Sequence, residues 1–179
     1  MQDWNVVATT YADGFRLADA VLSEFGAVAR TNYYNVLVMR VADARAFLDA
    51  FAARYAAEPE IGNAVSRVVP ADHAFDFADA DEFEDKAREA AYGWVARLAG
   101  KAFHVRVHRR GFKGRLSSQK EEQFLDAILI GTLDSMGESA RVAFDRADLV
   151  IDIETVDTRA GISLWTRAEV ERYAFLNPG

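Results

Sequence analysis

The sequence contains no cysteine, which excludes disulfides, thiolate metal sites, a cysteine nucleophile and a persulfide carrier. Only three prolines occur in 179 residues, and there is no Pro/Gly/Ser-rich linker and no internal repeat. No apolar run approaches the roughly 20 residues that a membrane span needs, so no membrane partner is expected. The N-terminal MQDWNVVATT lacks a basic stretch followed by an apolar one. No secretory signal is therefore expected, and the cytoplasm is the simplest location. One further absence is local. The segment 101–120, KAFHVRVHRRGFKGRLSSQK, holds not one carboxylate.

That segment is also where the cations gather. It carries Lys101, Arg106, Arg109, Arg110, Lys113, Arg115 and Lys120, with His104 and His108 beside them. The whole chain has 21 basic and 28 acidic side chains and a net charge of -7, so the remaining residues carry 14 basic against all 28 acidic groups. An acidic protein with one strongly basic strand and loop is suited to holding a polyanion at one place. The hydrophobic fraction of 51% and the 12 Phe suffice for a core, in one domain or two small ones.

The first half reads β-α-β-α-β, with strands expected at Asn5 to Thr10, Tyr34 to Val41 and Ala64 to Val69. Asp43 is a plausible N-cap for a helix bearing Phe47, Leu48, Phe51 and Tyr55 on one face, which Glu58-Pro59 ends. An acidic stretch follows: Asp72, Asp76, Asp79, Asp81, Glu82, Glu84 and Asp85. It reads either as a solvated helix start favoured by the helix dipole or as a divalent-cation site, though no EF-hand spacing is present. The second half opens with one long helix expected from Asp81 to Ala99. In the strand Ala102 to His108, Phe103, Val105 and Val107 face one way and His104, Arg106 and His108 the other. A loop with Gly111 and Gly114 leads to Ser118-x-x-Glu121, a capping box for the next helix. Leu149 to Val156 is expected as a strand, with a hairpin partner at Ile162 to Thr166. Thr166-x-x-Glu169 is a second capping box.

Strand, glycine-bearing basic loop and capped helix follow one another directly. Amide groups in the first helical turn can bind a phosphate oxygen, with Arg and Lys adding charge. Gly111 and Gly114 allow the backbone close to a ligand. No G-x-x-x-x-G-K-[ST] occurs, so nucleotide hydrolysis is not indicated. Phe112 either anchors the loop or stacks on an unpaired base. Arg106 either contacts the polyanion or pairs with Asp152 or Glu154 on a neighbouring strand. His104 and His108 share a strand face, but zinc needs further ligands and only His73 is left, so no metal is expected.

The strand FHVRVHRRG at 103–111, SSQKEEQFLDAIL at 117–129, VAFDRADLVIDIE at 142–154 and GISLWTR at 161–167 together resemble the THUMP domain. The order and spacing of these segments carry the resemblance. It covers residues 80 to 176 by motif and residues 1 to 75 by pattern alone. The resemblance implies an α/β (α+β) chain: a ferredoxin-like domain over residues 1–78, then a THUMP-like domain with a mixed sheet over 79–179. THUMP proteins bind RNA, usually tRNA. With the ferredoxin-like domain they typically hold the acceptor stem and unpaired 3′ end for a catalytic domain. Carried onto this sequence, the RNA-contacting positions are Arg106, Arg109, Arg110, Lys113, Arg115 and Lys120, with Ser117 and Ser118 at the phosphate-binding helix start. His108 and Phe112 fall within the same segment. Asp148 and Asp152 match positions that support the fold.

The chain ends at Gly179, where the catalytic domain of such enzymes would begin or continue. Its RYAFLNPG contains no glycine-rich cofactor loop, and no Ser-His-Asp set or paired carboxylates stand out. The expectation is thus a non-enzymatic, cofactor-free module, similar to stand-alone THUMP adaptors, that binds tRNA or another structured RNA and presents it to a separate tRNA-modifying enzyme. Two other readings are a small enzyme holding a phosphorylated metabolite with His104 or His108 as acid or base, and a scaffold whose basic loop docks an acidic protein.

Overall fold

The computed structural model describes residues 1–179, which form two compact units. The first comprises Met1–Ala74 together with Tyr173–Asn177, the second Phe75–Arg172 with Pro178–Gly179. No helix is long and apolar enough to cross a membrane.

In the first unit, β1 (Val6–Thr10), α1 (Phe15–Leu22), β2 (Ala27–Arg30), β3 (Val36–Arg40), α2 (Ala44–Ala57), α3 (Pro59–Ala64) and β4 (Val65–Pro70) follow in turn. The sheet order is β2-β3-β1-β4 and every pairing is antiparallel. This is the split β-α-β-β-α-β arrangement of ferredoxin-like folds. Four strands are present where the sequence pattern predicts three. The extra one, β2, reads AVAR, lies at the sheet edge and is exposed at both ends, so it lacks the apolar alternation that marks a half-buried strand. Asp43 caps α2 as expected, its side chain accepting from the amides of Arg45 and Ala46 at 2.9 Å. Pro59 ends that helix by opening a new one, occupying the first turn of α3 where a missing N–H costs nothing. Phe25, Phe47 and Phe51 pack edge-on and stacked over the sheet, and Phe175 adds its ring to Phe51 at 4.9 Å.

The second unit is built on the latter part of β5 (His73–Asp76), which begins in the first, and on α4 (Ala80–Tyr92), α5 (Val95–Leu98), β6 (Ala102–His108), α6 (Ser118–Ser135), β7 (Arg141–Val142), β8 (Leu149–Val156), β9 (Arg159–Thr166) and α7 (Arg167–Arg172). Its sheet runs β5-β9-β8-β6-β7 and is mixed. β6 is parallel to β7 and β8, while β8 and β9 form an antiparallel hairpin. Phe103, Val105 and Val107 face the core with Ile151, Ile153, Ile162 and Leu164, closed by Phe83 from α4 and by Leu125, Leu129 and Leu133 from α6. The molecule is therefore an α/β (α+β) chain with a ferredoxin-like unit and a second unit on a mixed sheet.

Local departures have local causes. The single helix expected over Asp81 to Ala99 is two, because Gly93 caps α4 and Trp94 turns the chain before α5. The acidic stretch is a helix start: Asp79 accepts from the amide of Glu82 at 2.9 Å, and Glu82 binds Lys86 at 2.6 Å. The Thr166–Glu169 capping box forms in both directions, at 2.8 and 3.1 Å.

Candidate nucleic-acid interface

The loop between β6 and α6 is fixed from within. Gly111, Phe112 and Gly114 all have positive φ, at 92°, 53° and 79°. Phe112 packs on Phe77 with ring centroids 5.1 Å apart, and the Arg115 guanidinium lies over its ring, 4.1 Å from the centroid. Phe112 is thus the loop's anchor, and the ring holds Arg115 in place by a cation–π contact. Amides of Arg115 and Leu116 both donate to Phe112 O, and Leu116 is buried. Ser117, rather than Ser118, caps α6; its hydroxyl accepts from the amide of Lys120 at 3.4 Å. The expected Ser118–Glu121 box does not form, because Glu121 turns inward and is 4% exposed.

This loop and the first turn of α6 enclose a groove with a volume of about 620 Å³. Arg109 and Arg115 line it from the loop, Ser117, Ser118 and Lys120 from the helix start, and Glu84 from α4. Lys113 is exposed on the same loop. Five sequence-predicted residues therefore share one groove.

Arg106, His108 and Arg110 go elsewhere. Arg106 lies in register with Asp152, yet its guanidinium approaches Glu122 of α6, at 3.9 Å. His108 Nε2 lies 3.0 Å from Pro178 O and 3.6 Å from Asp152 Oδ1. Arg110 forms an ion pair with the buried Glu154. None of the three lines the groove. Arg106 meets a carboxylate of α6, while Arg110 and His108 sit against carboxylates of β8, of which Asp152 is fully buried. His108, Asp152 and Glu154 place ligand-type atoms within 4.8 Å of one another, but Arg110 already engages Glu154. His104 is 2% exposed, its Nδ1 is 3.0 Å from Ala143 O, and burial holds its pKa below the ordinary histidine value. It is a neutral residue inside the fold and cannot meet a substrate as acid or base.

Asp148 acts in the fold as expected. Its carboxylate accepts from the amide of Ala102 at 2.9 Å and pairs with Arg167 at 3.1 Å. The Ala102 bond, then Arg167, holds its pKa below the usual range.

The structure also contains what the sequence reading did not find, a pair of carboxyl groups. Glu121 and Glu84 both line the groove. Burial first, then the charge of Glu84, pushes the Glu121 carboxyl up to about 7. The two lie on separate helices and share no sequence motif, so no pattern along the chain pointed to them.

No family model and no curated protein matches the sequence. Solved structures do match in fold. PH1313 from Pyrococcus horikoshii Ot3 superposes with a TM-score of 0.59 at 13% identity, over 89% of this chain and 53% of that one. TrmN from Thermus thermophilus gives 0.56 at 15% identity, over 89% and 44%. A 4-thiouridine synthetase in complex with RNA and bound ATP gives 0.56 at 12% identity, over 91% and 41%. The chain thus spans about half, or less, of the length of these proteins. At such identities the likeness is one of fold, and it extends across both units.

Proposed function

We propose that this chain is a non-catalytic RNA-binding module that holds tRNA, through its acceptor stem or 3′ end, and presents it to a separate modifying enzyme. The observation that carries this reading is the groove. Arg109, Arg115 and Lys120 converge on the open first turn of α6, whose amide groups favour a phosphate. The THUMP-like order of elements around it supports the reading, as does the likeness in fold to a 4-thiouridine synthetase that was solved with RNA. With Arg106 and Arg110 engaged by carboxylates, the working contacts are Arg109, Lys113, Arg115, Ser117, Ser118 and Lys120.

The test is a filter-binding titration with intact tRNA and with tRNA lacking its 3′ single strand, at low and physiological salt. Binding should be tighter to intact tRNA. Log affinity should fall with log salt by about 0.7 to 0.9 per phosphate neutralised. The R109A/R115A/K120A variant should lose most of the affinity and flatten that slope by about 2, with no fall in melting temperature. Unchanged binding by this variant would refute the groove as the site.

A further inference from the structure

The groove lies where the chain leaves the end of β6 and enters α6. α6 then carries the chain back to β7, which pairs in parallel with the start of β6. At that far end of the helix is a second hollow, of about 200 Å³, lined by Gly100, Lys101, Ser139, Ala140 and Arg141. Its walls are two turns bonded to each other. The amide of Gly100 donates to Ser139 O, and that of Arg141 to Lys101 O at 3.1 Å. Lys101 and Arg141 are exposed, and neither is held in an ion pair. Arg146 and Phe144 follow on the exposed turn between β7 and β8. The Phe144 ring is 61% exposed and braced against His104, with centroids 5.5 Å apart, so it offers a fixed flat face beside the cations. The acids nearby are Asp148, already bound by the amide of Ala102 and by Arg167, and the exposed Glu138 and Asp145. With Arg167, four cations meet these three carboxylates, a positive balance in a chain of net charge -7.

We propose that Lys101 and Arg141 form a second phosphate contact, which holds the far part of the same RNA duplex whose near part lies at the groove. This inference rests on the groove being the site of RNA contact. The 18 residues of α6 set the two contacts about 27 Å apart. Between them the outward row Gln119, Gln123, Ala127, Gly131 and Ser135 is uncharged, with Asp134 beside its last position, so little along the helix repels a phosphate backbone. Neither contact reads a base edge. Together they select for a duplex at least as long as the helix, by backbone and shape.

The experiment is fluorescence anisotropy of the whole chain with labelled tRNA and two labelled RNA hairpins across a salt series. Both hairpins carry a 3′ single strand; one has a stem longer than α6 and the other a stem shorter than it. K101A/R141A should bind tRNA and the long hairpin about tenfold more weakly at physiological salt, with the salt slope flatter by about 2. Its binding to the short hairpin should match wild type. K101R/R141K keeps both charges and should keep the wild-type slope on every RNA. Both residues are exposed, so neither variant should lower the melting temperature. Unchanged affinity and slope of K101A/R141A on tRNA and the long hairpin overturns the second contact and leaves the groove standing. Equal losses on the long and short hairpins overturn the shared duplex. R109A/R115A/K120A should lose affinity for both hairpins. If it binds them as tightly as wild type while K101A/R141A does not, the groove falls and the hollow is no longer a second contact. No binding of any RNA by the wild type overturns both.

Discussion

Asp126 on α6 accepts the amide hydrogen of Val105 on β6, at 3.1 Å. Glu122, one turn earlier, does the same for Val107 at 2.8 Å. β7 pairs with β6 only at Ala102 and Phe103, so beyond that point β6 is an edge. The two carboxyls close off the donors that an open edge would present to another chain.

This contact gives the protein a pH-dependent stability. Burial, followed by the charge of Glu122, raises Asp126 to about 7 despite the Val105 bond. An unfolded aspartate ionises near ~3.9. The folded state thus holds the proton more tightly, so the contribution is full below about pH 4 and is lost as the pH rises through about 7. Asp126→Asn keeps an oxygen for Val105 and cannot ionise. Urea denaturation from pH 4.5 to 8 should show wild-type stability falling more steeply than that of D126N. Glu121, raised by its own burial, leaves a residual slope of the same sign. Parallel curves would mean that Asp126 is already ionised in the fold.

Arg110 is expected to matter for stability and not for RNA. Its partner Glu154 has a side chain only 3% exposed. Arg110→Ala removes the cation of a buried ion pair and should cost about 3–5 kcal/mol. R110M/E154Q should recover much of the loss. If R110A instead weakens tRNA binding with an unchanged denaturation midpoint, Arg110 belongs to the RNA surface after all.

Phe112 separates anchoring from base stacking. Phe112→Leu keeps apolar volume against Phe77 but removes the ring beneath Arg115. It should cost about 1 kcal/mol of stability and loosen tRNA binding by a few-fold, through Arg115 alone. In an R115A background the same change should then have no effect on binding. A loss of binding in that background would show the ring meeting a base directly.

Two glycines should respond in opposite directions. A Cβ on Gly14 would sit 2.3 Å from the Ala64 Cα, a backbone atom that cannot step aside. Gly14→Ala should cost about 3 kcal/mol. Gly131 lies inside α6 with nothing within 4 Å of its would-be Cβ. Gly131→Ala should stabilise by about 0.8 kcal/mol through helix propensity. Thermal unfolding of both variants reads this directly.

Much of the second unit was legible because its pattern is local. β6 spans Ala102–His108 and β8 spans Leu149–Val156, the bounds that alternation and β-branched content indicate. β5 and β7 were not legible. HAFD begins an acidic stretch that looks like a helix start, and two-residue Arg141–Val142 is a strand only by its pairing with β6. At the candidate site, Arg109, Arg115, Ser117, Ser118 and Lys120 of the acid-free run line one groove, whereas Arg106, His108 and Arg110 do not. Arg110 looked unneutralised because charge was counted along the chain, whereas Glu154 reaches it across space; Arg106, for which pairing with Asp152 or Glu154 was one of two readings, meets Glu122 instead. The Glu84–Glu121 pair was hidden for the same reason.

The first unit is discontinuous. Phe175 sets its ring against Phe51, its carbonyl accepts from the amide of Val68 at 2.9 Å, and Tyr173 donates to Asp49. All of these belong to the first unit, yet residues 75 to 172 are synthesised between its two pieces. On the ribosome, the sheet of β1 to β4 can assemble early, but its aromatic cluster stays incomplete until Tyr173 to Asn177 emerge. The part made first is thus completed only after the second unit has been synthesised.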